Sequence, residues 1–215
     1  MISLPNGAIR RTSDATPPTG AGGVPTLGDG DNAGILYPLG SIYKVPATRT
    51  ARGLLVVDSA GALREGLHPD DSDVASTDVV VNIEADSGDL ELIYVKNVHA
   101  SNVIQRGHLC IAEAPATKGP YAVTTGANSG VGPSQVVGVA LYDIPVDKCG
   151  WIARKGQVYV ESDAAVSAGA QLTNGTGTAG QSQTVAAVTN DSFGFAVTAA
   201  AGADTLFLAQ VNCRG

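Results

Sequence analysis

The chain is poor in charged residues, and this scarcity limits the fold classes that suit it. Lys, Arg, Asp and Glu make up 15% of the 215 residues, whereas an average soluble domain has about 25%. Few Lys and Glu residues leave few of the i,i+4 ion pairs that support exposed helices. The 27 glycines, with many small and β-branched residues, fit pleated strands and tight turns. The composition therefore predicts a β-rich protein.

The chain also lacks basic runs and long apolar runs. No run of Lys or Arg exceeds two residues, and the net charge is −7. Nucleic-acid binding requires several cations aligned with phosphates, so we expect no direct nucleic-acid partner. No apolar run approaches the ~18 residues that a membrane-spanning helix needs, so we expect no membrane partner. An acidic surface is suited to docking onto a complementary protein surface.

Cysteine is scarce and odd in number. The three cysteines, Cys110, Cys149 and Cys213, form no CxxC motif. This pattern is typical of free, buried thiols in a reducing compartment. Pro5 and Gly7 interrupt the N-terminus before an apolar segment could form, so we expect no signal peptide. We therefore expect the chain to be made and used in a cytosol.

Residues 1–46 differ from the rest because they are dense in Gly, Pro, Asp and Thr and show no helical or alternating period. Such a segment cannot offset its chain entropy by burying apolar surface on its own. It is either a disordered tail or an extended arm that a partner orders. The apolar islands Ile35–Leu39 and Ile42–Val45 favour the arm.

Residues 47–94 are predicted to form a small additional β region. The polar stretch Glu65–Ser76 is interpreted as an exposed loop, and Asp86–Asp89 has the chemistry of a hairpin turn between two strands. Apolar runs predict strands at Gly53–Asp58, Asp78–Ala85 and Leu90–Val98.

Residues 95–215 are predicted to form a β-barrel or β-sandwich, because short strand candidates alternate with glycine-containing turns. A single helical turn is predicted at Ser162–Gly169, with a capping Ser and Asp at its start and Gly at its end. The strand candidates are Leu109–Ala112, Tyr121–Thr125, Val136–Tyr142, Gln157–Glu161, Gln171–Thr173, Thr184–Val188, Phe193–Ala199 and Thr205–Asn212.

A short pattern occurs twice in this region. Ile104–Leu109 and Val166–Leu172 each begin with an apolar residue, continue through spacers to glycine, and lead into a strand. The apolar residue would dock a tight turn on the core, and glycine would permit the chain reversal. Two interpretations are open, a duplication and a recurring turn chemistry without duplication, and we favour the second.

The glycine-punctuated strands resemble the capsid cement, or head decoration, proteins of tailed bacteriophages. In that family a G-x-A strand precedes an x-x-G-x-V-x-V strand, a V-x-x-G-x-x-L turn and a second G-x-A strand. The matching segments of this chain are Val136–Leu141, Gly150–Val160, Ala165–Thr173 and Phe193–Leu208. The resemblance covers about half of the chain, roughly residues 95–213, and leaves residues 1–94 unassigned.

The resemblance implies a structural virion protein on the capsid exterior. Such a protein would bind the major capsid protein and bridge capsomers, often as a homotrimer, and an N-terminal arm would suit that role. The alternative is a tail- or fibre-associated virion protein that contacts host surface glycans.

A serine hydrolase is an alternative hypothesis for this chain. It requires a nucleophile, a base and an orienting acid. Ser87 and Ser129 each precede a glycine, and His68, His99 and His108 are the available bases. Both Ser-Gly pairs are turn sequences, so we expect no catalytic residue and no enzymatic activity.

A metal site would draw on His99, His108, Cys110 and Cys149. His108 and Cys110 would share one face of a strand, but the spacing of the other two supports no site. No P-loop or dinucleotide-binding glycine motif is present in the sequence. We therefore expect no metal and no cofactor.

The residues expected to contact a partner are apolar and aromatic. Trp151 follows Gly150 at a strand start, where it would be either a core residue or an interface anchor, and Tyr142 and Tyr159 carry the same ambiguity. The predicted interface comprises Ile35, Leu36, Tyr37, Leu39, Ile42, Tyr43, Tyr142, Trp151 and Tyr159.

Overall fold

The computed structural model of the protein describes residues 2–3, 9–10, 39–45, 54–57, 63–67, 79–81, 90–113, 118, 121–125, 136–185 and 192–213. Every element with defined bounds in these residues is a β-strand. The all-β prediction is therefore confirmed. No helix in the described part of the chain is long and apolar enough to span a membrane.

The strands fall into a two-stranded sheet (β1 and β2), a three-stranded sheet in the order β5-β4-β6, and one large sheet that contains the remainder. Their bounds are β1 Ile2–Ser3, β2 Ile9–Arg10, β3 Ile42–Val45, β4 Leu54–Val57, β5 Leu63–Leu67, β6 Val79–Val81, β7 Leu90–Asn97, β8 Leu109–Ala112, β9 Ala122–Thr124, β10 Val136–Ala140, β11 Cys149–Ser162, β12 Gln171–Asn174, β13 Ser182–Thr184, β14 Gly194–Ala196 and β15 Thr205–Asn212.

Five strands of the large sheet close into a first barrel. They are hydrogen-bonded in the order β11-β10-β8-β9-β7, and β7 pairs again with β11. The β7–β9 contact is parallel, with Lys96 opposite Ala122, and the other contacts are antiparallel. Because the ring is closed, none of these five strands is an edge strand with unpaired backbone N–H and C=O groups. β3 is hydrogen-bonded to β7 as an additional strand.

The remaining strands close into a second barrel on the same β11. The order is β11-β15-β14-β12-β13, and β13 returns to β11 through a parallel pairing of Ser162 with Ser182. The long strand β11, with 14 residues, is therefore shared. Its first half, Cys149–Ala153, pairs with β7 and β10, and its second half pairs with β15.

The two barrels repeat one topology. When the five strands of each barrel are numbered in chain order, their order around the ring is first, third, second, fourth and fifth. An isolated antiparallel bridge joins Ile104 to Ile144 in the first barrel, and another joins Val166 to Ala200 in the second. The recurring sequence pattern therefore marks equivalent turns of two units with the same strand order. The preference for recurring turn chemistry over a duplication stays a prediction.

The backbone conformation of the equivalent turns is repeated too. Gly107 and Gly169 have φ of +85° and +81°, while Asp147 and Asp204 have φ of 60° and 54°. Positive φ is strained for most residues, and glycine and aspartate tolerate it best. The repeated turn chemistry thus follows from a repeated backbone requirement.

Several sequence-based expectations differ from the structure. The loop expected from Glu65 includes the end of β5, and the expected helical turn instead holds Val166 paired with Ala200. Among the described strands, β6 pairs with β4 and not with β7; the turn expected at Asp86–Asp89 lies outside the described residues. Ile42–Val45 of the expected arm forms β3. The proposed boundaries of the three regions remain predictions.

Candidate functional site

The predicted interface residues lie in different environments. Ile35, Leu36 and Tyr37 lie outside the described residues. Leu39, Ile42 and Tyr159 are partly buried. Tyr43 and Tyr142 are each 3% exposed, and Trp151 is 1% exposed.

Trp151 is a central residue of the hydrophobic core. Its ring lies 5.1 Å from the ring of Tyr94 and 6.2 Å from that of Tyr43. The Trp151 amide donates to the hydroxyl of Tyr142 across 2.7 Å. Of the two roles left open for Trp151, burial supports the core role. The contact of these aromatic residues with a partner stays a prediction.

An apolar face on the second barrel presents two of the four exposed large apolar side chains in the described residues. Leu206 is 41% and Phe195 is 47% exposed, and Leu208 lies opposite Tyr159 across the β11–β15 pairing. We call Tyr159, Phe195, Leu206 and Leu208 the outer face. Strand alternation explains this placement, because the neighbouring residues on β11 and β15, and Ala196 on β14, are buried.

The corresponding face of the first barrel is buried. Ala140 and Ala196 hold the same place, since each exchanges backbone hydrogen bonds with the turn before the second strand of its barrel. Ala140 pairs with Ile152 and Ala196 pairs with Ala209, so Ile152 and Ala209 are equivalent positions of the two barrels. The residues that precede them, Trp151 and Leu208, are therefore also equivalent. Trp151 pairs with Tyr94 and Leu208 pairs with Tyr159, so the Tyr159–Leu208 pair corresponds to the Tyr94–Trp151 pair. Tyr94 and Trp151 are 3% and 1% exposed. The two barrels thus share a topology and differ in which apolar face reaches the surface.

Both uncharged and charged polar groups border the outer face, since Glu161 lies opposite Leu206. Gln157 lies opposite Gln210 beside it. The Arg106 guanidinium carbon lies 5.5 Å from the centre of the Tyr159 ring, within the range of a cation–π contact. This composition, aromatic and aliphatic with one arginine, is typical of the centre of a protein–protein interface.

A polar cluster lies where the two barrels meet, with His108 and Gln181 buried, Glu161 partly buried and Asp204 exposed. His108 Nε2 is 3.2 Å from Glu161 Oε2, and these side chains are 10% and 15% exposed. Gln181 Nε2 donates to Glu161 Oε1 and to Asp204 Oδ1, each across 2.7 Å. We call His108, Glu161, Gln181 and Asp204 the junction cluster. Burial lowers the pKa of His108, against the opposing attraction of the Glu161 and Asp143 carboxylates.

The junction cluster contains a histidine–carboxylate pair, which is also two thirds of a hydrolytic triad. A triad needs a hydroxyl or thiol at the ring nitrogen that the carboxylate leaves free. That nitrogen is Nδ1, and it has no hydrogen-bond partner among the described residues. It lies against Gly180, where a Cβ atom would come within 2.8 Å. The described geometry therefore gives the pair a structural position; Ser87 and Ser129 lie outside the described residues.

The four residues considered as metal ligands lie in separate environments, either hydrogen-bonded to other groups or buried. His99 Nδ1 accepts from the amides of Ser101 and Asn102, while Cys110 and Cys149 are fully buried and in no disulfide. Burial raises the pKa of Cys110, so that it is a neutral thiol near neutral pH. Within the described ranges, no group of three or more His, Cys, Asp or Glu residues is placed to hold a metal ion.

Sequence reasoning missed both the junction cluster and the outer face. Glu161 and His108 are 53 positions apart, as the numbering shows, and no local pattern links them. The sequence of Thr205–Asn212 did contain a signal for the outer face, because apolar residues occur at both its odd and its even positions and therefore on both faces of the strand. A strand with one buried face needs apolar residues on one parity only.

Comparison with known proteins adds a structural likeness. No family model and no curated protein matches the sequence. The fold is similar to the crystal structure of the N base of the head fiber gp8.5 of bacteriophage phi29, with a TM-score of 0.41 and 14% identity over 56% of this chain and 94% of that chain. A likeness of this size carries no argument about the function of the chain.

Proposed function

We propose that this chain is a structural protein of a tailed-phage virion that binds the outer surface of the capsid and stabilises the shell by bridging capsomers. The observation that carries an interaction role is the exposed outer face of the second barrel, with Phe195 47% and Leu206 41% exposed. The resemblance of residues 95–213 to capsid decoration proteins supplies the proposed setting.

The outer face supports a binding role through its contrast with the first barrel. The same chain buries the corresponding pair Tyr94 and Trp151 almost completely. Burying exposed apolar area of this kind stabilises a complex by about 25 cal/mol per Å² before the costs of association. Tyr159 adds an aromatic ring with a polar end, a residue type enriched in interface hot spots.

Charge favours a protein partner with a basic patch. The chain carries a net charge of −7, which would steer it toward a cationic surface and away from nucleic acid. We propose the major capsid protein as that partner and a homotrimer as the bound form. A trimer would place three outer faces around one junction between capsomers.

The test uses shells of the phage whose genome encodes this chain, prepared without it. Phe195→Ser removes a 47% exposed aromatic residue from the outer face, and Tyr121→Ser removes a 49% exposed one elsewhere as the matched control. Leu206→Ser and Val103→Ser form a second pair, each 41% exposed. We expect the outer-face variants to co-sediment with shells about tenfold more weakly, equivalent to ~1.4 kcal/mol, while the controls bind normally.

The same preparation tests the capsid role itself. Decorated shells should withstand heat or osmotic shock better than undecorated ones. If the chain neither sediments with shells nor changes their integrity, the proposal fails. Labelling of the tail or fibre, with glycan-dependent attachment, would instead establish the alternative function.

A further inference from the structure

The two barrels are joined by a second connection besides β11. The turn that leads into β8, Gln105–Leu109, belongs to the first barrel and lies against the second. The amide of Glu161 donates to the carbonyl of Gly107 across 3.0 Å, and the amide of Leu109 donates to the carbonyl of Gly180 across 2.7 Å. We call Gln105–Leu109 the junction turn.

His108 lies at the centre of this contact. Its ring pairs with Glu161 at 3.2 Å through Nε2, and its Nδ1 lies against Gly180. A Cβ atom at Gly107 would meet the Leu206 side chain and the Glu161 backbone. The junction turn therefore fits closely against three strands or turns of the second barrel.

The two nitrogens of His108 have different surroundings. An ionised carboxylate only accepts hydrogen bonds, so Nε2 carries the proton toward Glu161 in the neutral ring. Nδ1 is buried and has no hydrogen-bond acceptor among the described residues. A second proton on the ring would therefore create a buried donor without a partner, which is unfavourable in a folded protein.

The charged groups near His108 do not remove this conflict. Glu161 is already paired with Nε2, and Asp143 attracts the ring's positive charge more weakly while its Oδ1 accepts from the Arg106 amide. Asp204 reaches the cluster through Gln181. Burial outweighs these attractions and lowers the pKa of His108.

We propose that His108 is an acid-sensitive latch between the two barrels: a proton gained at Nδ1 releases the junction turn from the second barrel. Above the usual pKa of a histidine the neutral ring fits and the turn is held. As the pH falls through the lower pKa of the folded protein, the charged ring must leave its position against Gly180. β11 continues to connect the barrels, so release is local. This inference does not depend on the proposed function.

Hydrogen exchange of individual amides in the full chain tests the latch. The amides of Leu109 and Glu161 report the two bonds between the barrels, while those of Ile104 and Val166 report bonds within each barrel. Between about pH 7.5 and about pH 5, where histidine titrates, protection at Leu109 and Glu161 should fall about tenfold after correction for chemical exchange. Protection at Ile104 and Val166 should stay constant.

Two variants separate the latch from general acid sensitivity. His108→Gln retains a neutral side-chain donor and should abolish the fall at Leu109 and Glu161, whereas His99→Gln should leave it intact. Glu161→Gln keeps an acceptor for Nε2 but removes the attraction that raises the pKa of His108. In that variant the release should move to lower pH.

The proposal is overturned by any of three results. Protection at Leu109 and Glu161 could remain constant in the unmodified chain, or fall equally at all four amides. The same fall in His108→Gln would also exclude His108 as its cause. If His108→Gln does not fold, a release in Glu161→Gln at the same or higher pH than in the unmodified chain contradicts the latch.

Discussion

Asn97 and Ser162 hold equivalent places in the two barrels. Each is fully buried at the end of its barrel's first strand and pairs in parallel with the third strand. Asn97 Nδ2 donates to the carbonyls of Ile144 and Asn102, and Ser162 Oγ lies within hydrogen-bond distance of the carbonyls of Gly202 and Thr205. Two different side chains therefore supply hydrogen-bond donors to backbone carbonyls at the equivalent place in the two barrels.

Replacement of either residue should weaken its own barrel. Asn97→Ala and Ser162→Ala each remove side-chain hydrogen bonds to backbone carbonyls, so the free energy of unfolding should fall by about 0.5–1.5 kcal/mol for each bond lost. Asn97→Ala should have the larger effect because it removes donors to two separate carbonyls. Urea unfolding followed by circular dichroism measures both. Ser101→Ala, at an exposed position, is the control and should change little.

Asp163 should order the loop that follows β12. Its carboxylate oxygens accept from the amides of Gly177 and Thr178 at 2.7 and 3.0 Å. Asp163→Ala should expose these amides, and their hydrogen exchange should accelerate. Asp163→Asn keeps one carbonyl acceptor and should have a smaller effect. Equal protection in all three proteins would contradict this role.

Gly138 should be irreplaceable in β10. A Cβ atom there would lie 2.7 Å from the carbonyl oxygen of Ala153 and 2.8 Å from the Ile152 side chain. Gly138→Ala should therefore lower the free energy of unfolding by about 1–3 kcal/mol through overpacking. Gly202 has no atom within 4 Å of the same position, so Gly202→Ala serves as the matched control. A similar urea midpoint for both variants would contradict the packing argument.

The cysteines should be unreactive in the folded protein. All three thiols in the described residues are buried, and burial raises the pKa of Cys213 to about 12. A thiol-specific reagent at about pH 8, near the usual thiol pKa, should label none of them until denaturant is added, and then all three. Labelling of the native protein at the denatured rate would contradict the burial.

The same shift predicts a loss of stability in alkali. The folded pKa of Cys213 lies above that of an unfolded thiol, so its contribution to stability is complete below the unfolded pKa. This contribution declines as the pH rises toward about 12. Cys213→Ala should therefore show a shallower decrease of the urea midpoint with rising pH. An unchanged slope would exclude Cys213 as the source.

Local patterns in the sequence predicted individual strands well. The bounds Leu109–Ala112 and Thr205–Asn212 agree with β8 and β15, because short apolar or alternating runs flanked by turn residues specify strands locally. The helical turn predicted at Ser162–Gly169 was wrong because Val166 pairs with Ala200, 34 positions later in the numbering. Tertiary pairing there overrides a local capping signal.

Relations between distant residues could not be predicted from local patterns. The closure of the two barrels depends on pairings such as Ser162 with Ser182 and Cys149 with Lys96. No single segment of the sequence determines the order of the strands in the sheet. The outer face required knowledge of which parity of β15 points inward. The junction cluster required the two barrels to be placed against each other first.

The continuous course of β11 through both barrels has a mechanical consequence. At about 3.3 Å per residue, its 14 residues form a span of roughly 45 Å. A force applied along this strand would load the hydrogen bonds to β7 and β15 in shear, many at once, in both units. A register shift between Ala153 and Lys155 and a positive φ of 117° at Gly156 mark the point where β11 passes from the first barrel to the second, so tension on one barrel reaches the other through this short segment of backbone.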